Sequence, residues 1–210
     1  MFPAPGRIDA QHGAVFSITL RLLGPLERGD LAVVLEALEG LTAFEFTADR
    51  GRIAFDHATL VGQRETPIAT NITAAPMERI AVELETPAWL EHQGRLMEQI
   101  HFQPFFRAIY RRLTVLCALY GEWSDIDDAA FEPLDALAAQ IVVAEQHVKK
   151  LEFQRRSEAR GREHPMRGLI GRVVFEGRGL EAFLPALRLA EKTHIGKATS
   201  FGMGRMRVEV

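Results

Sequence analysis

The stretch His194-Ile195-Gly196-Lys197-Ala198-Thr199-Ser200-Phe201-Gly202-Met203-Gly204-Arg205, closed by Met206 to Val210, decides how the rest of this chain is read. Three glycines fall within nine positions, flanked by His194, Lys197 and Arg205. Glycine takes positive φ without penalty and lets a backbone approach a partner closely, so the run outlines an anion-binding loop ringed by cations. Before it, Leu180, Phe183, Leu184, Leu187 and Ala190 follow the spacing of one helix face. After it, Met206, Val208 and Val210 alternate with Arg205, Arg207 and Glu209, as in a strand covered on one side. The order is therefore helix, glycine loop, final strand.

That order excludes two common phosphate loops. A Walker A loop needs a glycine five before Gly196 and a Ser or Thr after Lys197, where this chain has Glu191 and Ala198. A dinucleotide fingerprint needs a helix after Gly202-x-Gly204, and a strand follows instead.

The run from His194 to Arg205, with Phe183-Leu184-Pro185 on the helix before it, resembles the C-terminal glycine-rich loop of the RAMP superfamily of CRISPR-associated proteins. Within that superfamily it is most similar to the endoribonuclease that processes precursor CRISPR RNA. Arg167-Gly168-Leu169-Ile170-Gly171 and the segment Phe102 to Tyr120, with its Arg111-Arg112 pair, extend the resemblance.

Composition agrees with a soluble globular chain. The 210 residues are 47% hydrophobic and 25% charged, enough to bury a sizeable core. No apolar run approaches the roughly 18 residues of a membrane span, and Met1-Phe2-Pro3-Ala4-Pro5-Gly6 has neither a basic start nor an apolar core, so a cytoplasmic setting is expected. The single cysteine, Cys117, excludes an intramolecular disulfide and reads as a small buried hydrophobe. The net charge of −3 argues against indiscriminate nucleic-acid binding, but its distribution is uneven. Between Lys149 and Arg172 eight basic residues face three acidic ones, which makes this segment a candidate phosphate contact.

The front of the chain reads strand (Val15 to Leu23), helix (Leu31 to Leu41, capped by Asp30) and a hairpin from Ala43 to about Val61 that turns at Asp49-Arg50-Gly51. A polar connection spans 66–78, separating a part at 1–65 from one at 79–210. Ile80, Val82 and Leu84 alternate in a strand expected to stop at Pro87. A helix from about Phe102 has Phe102, Phe105, Phe106, Ile109, Leu113, Leu116 and Tyr120 on its inner face, with Arg107, Arg111 and Arg112 elsewhere. Ser124 and Asp125 would cap a long inserted helix from Asp128 to Leu151, whose Leu134, Leu137, Ile141, Ala144, Val148 and Leu151 form a seam for a neighbouring helix or for a dimerising coiled coil. A hairpin with arms Leu151 to Ser157 and Gly168 to Glu176 follows. The expected fold class is α+β: a ferredoxin-like (RAMP/RRM-like) C-terminal domain of order β-α-(α)-β-β-α-β with an added helix.

The resemblance implies two such domains in tandem, of which 79–210 is the second and 1–65 a shortened first. The opening strand and helix, where many members carry their active-site histidine, have no counterpart here. It also implies a metal-independent cut in which the ribose 2′-hydroxyl attacks the adjacent phosphate, leaving a 2′,3′-cyclic phosphate and a 5′-hydroxyl. Such chemistry needs a base, an acid and a cation; histidine suits the first two roles and lysine or arginine the third. His194 and Lys197 are the catalytic candidates, followed by His164 and His12. The RNA-binding candidates are Arg155, Arg156, Arg160, Arg162, Arg167, Gly196, Ser200, Gly202, Gly204 and Arg205. The remaining histidines show no metal-ligand spacing, and no metal or cofactor is expected. The expected partner is CRISPR repeat RNA, with other effector subunits possible and no membrane. The alternatives are a non-catalytic RNA-binding subunit of a CRISPR effector complex and an assembly module using the long helix seam.

Overall fold

The computed structural model describes residues 32–34, 36–37, 43–45, 52–54, 75–120, 128–157 and 162–210. The expected strand at Val15 to Leu23 and the caps at Ser124 and Asp125 lie outside these residues. The described residues divide into two compact units: one holds 75–153 and 166–210, the other those between 32 and 54 together with 154–157 and 162–165. In the latter, residues 32–34 and 36–37 are helical, and strands β1 (Ala43–Glu45) and β2 (Arg52–Ala54) pair antiparallel with Phe44 opposite Ile53. That is the hairpin that Asp49-Arg50-Gly51 announces.

The larger unit is built on β3 (Arg79–Ala88), which is followed by the short pair β4 (Glu91–His92) and β5 (Arg95–Leu96). Next come helices α1 (Phe102–Tyr120) and α2 (Asp128–Ala138) and the long strands β6 (Val142–Ser157) and β7 (Arg162–Glu176), of which 154–157 and 162–165 count with the other unit. A 3₁₀ turn (Leu180–Phe183) runs into α3 (Leu184–Thr193), and β8 (Met206–Glu209) ends the fold. The sheet order is β6-β7-β3-β8, with β3 antiparallel to both neighbours. The first and third strands of the β-α-β-β-α-β order are thus central, the ferredoxin-like arrangement, and α2 is the added helix.

The alternation in β3 explains its place. Ile80, Val82 and Leu84 are buried beneath the helices, while Arg79, Glu83 and Glu85 lie on the opposite face. From the helices come Phe102, Phe105, Phe106 and Ile109 of α1 and Leu184, Leu187 and Ala190 of α3, all buried in one core. Phe102 and Phe106 each meet Phe183 edge-on at 4.8 Å between centroids, so aromatic rings join α1 to the 3₁₀ turn that leads into α3. All five apolar positions read on the last helical stretch are buried.

Three expectations are corrected. The strand at Arg79 does not stop at Pro87 but includes it; pairing with β7 shifts register between Leu84 and Ala88, and at such an irregularity a residue without N–H is tolerated. The inner stripe of α1 is buried as far as Leu113, whereas Leu116 is half-buried and Tyr120 is 51% exposed. The largest correction concerns the inserted helix, which ends at Ala138 and gives way to β6. The inward residues there come in pairs, Ile141 and Val143, Gln146 and Val148, Leu151 and Phe153. This spacing of two and three shares Ile141, Val148 and Leu151 with the helix seam read there, whereas Ala144, placed on that seam, is exposed. Accordingly the hairpin arms run from Val142 and to Glu176, longer than expected, and the seam proposed for a coiled coil or an assembly module is absent.

Candidate nucleic-acid interface

The loop between α3 and β8 is anchored at both ends to the strand in front of it. The His194 N–H donates to the Ala190 carbonyl at 2.9 Å as α3 ends, and His194 itself turns to φ 61°. Ile195 donates to the Gly204 carbonyl at 2.9 Å, closing the loop, while Gly204 donates to Pro87 and Lys197 to Trp89, each at 3.0 Å. The Thr86 hydroxyl donates to the Gly202 carbonyl at 2.9 Å and accepts from the Arg205 N–H at 2.8 Å. Ile195 and Met203 plug the loop into the core with no exposed surface.

The three glycines all have positive φ, between 75° and 81°. The close approach they permit is to the chain's own backbone. A Cβ on Gly196 would lie 2.4 Å from the Trp89 carbonyl oxygen, and one on Gly204 would lie 1.9 Å from that of Ile195. What the loop exposes is the short 3₁₀ turn Thr199–Phe201, with Ser200 exposed and Phe201 40% exposed.

The polar side chains around the loop are tied down. His194 Nδ1 donates to the Met203 carbonyl at 3.2 Å, which in the neutral ring puts the lone pair on Nε2. Lys197 Nζ donates to Glu91 Oε2 at 2.6 Å, and the indole N–H of Trp89 donates to Glu91 Oε1 at 2.8 Å. The hydrogen bond from Lys197 holds the Glu91 carboxyl below its usual range, against the desolvation that raises it. Arg167 of β7 lies with its guanidinium carbon 5.4 Å from the Trp89 ring centroid, and Lys197 Nζ lies at 6.0 Å. Arg205 pairs with Glu85 at 2.7 Å on the outer sheet face, where Arg79 also pairs with Glu176 and Arg172 with Glu209. The arginines of that face are thus engaged by carboxylates.

The structure brings His194, Lys197, Gly196, Ser200, Gly202, Gly204 and Arg205 into one loop and sets Arg167 beside it through Trp89. Arg155 and Arg156 lie near the end of β6 and Arg162 opens β7, all in the other compact unit. Arg160 and His12 lie outside the described residues, and His164 is an exposed residue of β7. Cys117 is half-buried and burial pushes its thiol upward, the behaviour of an inert side chain. Among the described residues no group of three or more His, Cys, Asp or Glu could hold a metal ion, and no helix is long and apolar enough to cross a membrane. The sequence reading missed Thr86, Trp89 and Glu91. They share no motif with the loop they hold and stand more than a hundred positions before it.

A ferredoxin-like sheet whose last helix and last strand bracket a cation-flanked glycine loop defines a RAMP-type domain. The profile of the CRISPR-associated endoribonuclease Cas6 family matches residues 82–206, from β3 to the start of β8, and the chain belongs to that family. Among solved structures, a Cas6 product complex is similar at 22% identity and a TM-score of 0.54, covering 87% of this chain and 72% of the other. A Cas6 substrate-mimic complex is similar at 22% identity with a TM-score of 0.52, over 86% and 74% of the two chains. Thermus thermophilus Cas6 is similar at 18% identity with a TM-score of 0.53, over 88% and 72%. At these identities the likeness is one of fold. Among curated proteins none matches this sequence.

Proposed function

We propose that this chain binds and cuts the repeat RNA of precursor CRISPR transcripts in the cytoplasm, without a metal, leaving 2′,3′-cyclic phosphate ends. The domain at 79–210 supplies the loop, preceded by a connection at 66–78 and a further part at 1–65. The observation that carries the reading is the loop itself, in a chain of the Cas6 family: His194 and Lys197 stand three positions apart on a backbone fixed by Pro87, Trp89 and Thr86. In the proposed reaction the 2′-hydroxyl proton passes to His194 Nε2, the 2′-oxygen bonds to phosphorus, and the P–O5′ bond breaks as the leaving oxygen takes a proton from a solvent water. Lys197 supplies positive charge to the phosphorane oxygens. Ser200 and the backbone from Gly196 through Gly202 to Gly204 cradle the strand. Arg155, Arg156, Arg160, Arg162 and Arg167 meet its phosphates, and Arg205 does so by exchanging Glu85 for phosphate, since RNA of this kind is held largely through shape and backbone.

A second reading, a non-catalytic RNA-binding subunit of an effector complex, is favoured by the engagement of Lys197 with Glu91. Incubation with labelled repeat RNA in EDTA, beside the same RNA carrying a 2′-deoxy at the cut, separates the two. Cleavage of the first RNA alone, with a cyclic-phosphate end, is the expected result. Salt-sensitive binding without cleavage would support the subunit, and no binding at low salt would sink both readings.

A further inference from the structure

Trp89 stands where three segments meet. It follows β3 directly, and an antiparallel bridge ties it to Lys197 of the glycine loop. On its other side Gly168 allows β7 to come hard against Ala88: a Cβ there would lie 2.8 to 2.9 Å from Ala88 backbone atoms. That contact sets Arg167 over the indole. The ring is half-buried, and its N–H is clamped by Glu91.

Arg167 is exposed, and it makes no hydrogen bond or ion pair to any described residue. Arg205 and Arg172 each hold a carboxylate, whereas the charge of Arg167 is felt at Glu91 and Glu152 without a hydrogen bond to either, so among the described residues its donors are not taken up. An exposed cation over a half-buried ring is worth only about 0.5 to 1 kcal/mol to the fold and needs no clamp on the indole N–H. A fixed aromatic surface beside a guanidinium with unused donors matches the chemistry of a nucleotide. Unstacked bases stack on aromatic rings and on guanidinium planes, and phosphate takes the arginine fork.

Resting on the RNA reading above, we propose that Trp89 and Arg167 form a nucleotide subsite beside the glycine loop. One unpaired base stacks on the indole–guanidinium pair, its phosphate is held by Arg167, and Glu91 positions the indole.

The test is a binding cycle on the full chain with repeat RNA from the same locus, prepared as a series with one abasic nucleotide at each position. A stacked base predicts one position at which the abasic RNA binds wild type about tenfold more weakly, a loss that Trp89→Leu shows with intact RNA and does not suffer again with the abasic one. Trp89→Phe, which keeps a ring, should retain that position's sensitivity and guards against a misfolded Leu variant. Arg167→Lys should keep the salt dependence and lose the sensitivity. In a Trp123→Phe background, which leaves Trp89 as the only tryptophan, RNA should quench the fluorescence. Wild-type binding with equal, additive losses at every position would overturn the subsite and leave the RNA reading standing. Failure of the wild-type chain to bind any of the series would overturn the RNA reading itself.

Discussion

Lys197 and Glu91, 106 positions apart in the chain, meet at 2.6 Å beside the glycine loop. The carboxylate occupies the ammonium that a phosphate would seek. Glu91→Gln keeps an acceptor for the indole of Trp89 but releases the cation. We expect repeat RNA to bind severalfold more tightly at low salt, with the slope of log K against log salt steeper by about 0.7 for one added phosphate contact on a single strand. Filter binding across a salt series checks this, and an unchanged slope would remove Lys197 from the phosphate contacts.

Lys197→Ala separates charge from architecture. Its backbone N–H bond to Trp89 survives the substitution, so the loop should hold its shape. If the ammonium stabilises the phosphorane, single-turnover cleavage should fall by about a hundredfold or more, the scale on which one such donor acts. His194→Ala should lower the single-turnover rate as well, if its Nε2 takes the 2′-hydroxyl proton.

Gly204→Ala should injure the fold through a clash inside the loop itself. The new methyl would meet the Ile195 carbonyl oxygen at 1.9 Å, and φ is 75°. Overpacking of this kind costs about 1 to 3 kcal/mol, and the backbone strain adds to it. Gly94 offers the control: φ is 76° but nothing lies within 4 Å of a Cβ there. Gly94→Ala should lower Tm by the smaller, conformational part alone. Equal shifts in the two variants would show that the contact with Ile195 carries no weight.

These contrasts show which parts of the molecule were legible. Leu180, Phe183, Leu184, Leu187 and Ala190 announced the last helix because its period and its burial coincide. Ile80, Val82 and Leu84 did the same for the central strand. Strand β6 was misread because Ile141, Val148 and Leu151 also fit a helix spacing, so a local window finds a helix where pairing with β7 decides the outcome. In the candidate site, the loop and its flanking cations could be read from consecutive residues. Glu91, Trp89 and Thr86 could not, because what joins them to the loop is the pairing of a first strand with a chain end, which no local pattern encodes.

Acid should loosen the attachment of the added helix. Asp135 of α2 takes two hydrogen bonds from Arg107, at 2.6 and 2.7 Å, and one from Gln103 at 2.9 Å, both on α1. The bonds from Arg107 hold its carboxyl below the ordinary 3.8, against desolvation. A depressed carboxyl stabilises the fold above its unfolded pKa, and that contribution disappears as pH falls through the folded value. With Arg107 44% exposed, solvent screening limits the contribution to about 1 kcal/mol. Asp135→Asn should therefore be less stable than wild type at pH 7, with the gap closing below about pH 4. Urea midpoints at both pH values measure it, and a gap that stays constant would place the effect in packing.

Thr86 gives the most local test of how the loop is held. One hydroxyl donates to the Gly202 carbonyl and accepts from the Arg205 N–H, so both flanks of Met203-Gly204 depend on it. Thr86→Val keeps the volume and removes both bonds, leaving the partly buried Gly202 carbonyl without this partner, at about 1 to 3 kcal/mol, and the exposed Arg205 N–H to water. The core beneath is untouched, because Ile195 and Met203 still fill it. The loss should therefore appear first as local opening: faster hydrogen exchange at the Arg205 amide, with amides of β3 such as Val82 keeping their protection. If the loop must be rigid to present His194 and Lys197, cleavage by Thr86→Val should slow with little change in RNA affinity, since the phosphate-binding cations all remain. An Arg205 amide exchanging as in wild type would show that the bonds to Pro87 and Trp89 suffice to hold the loop.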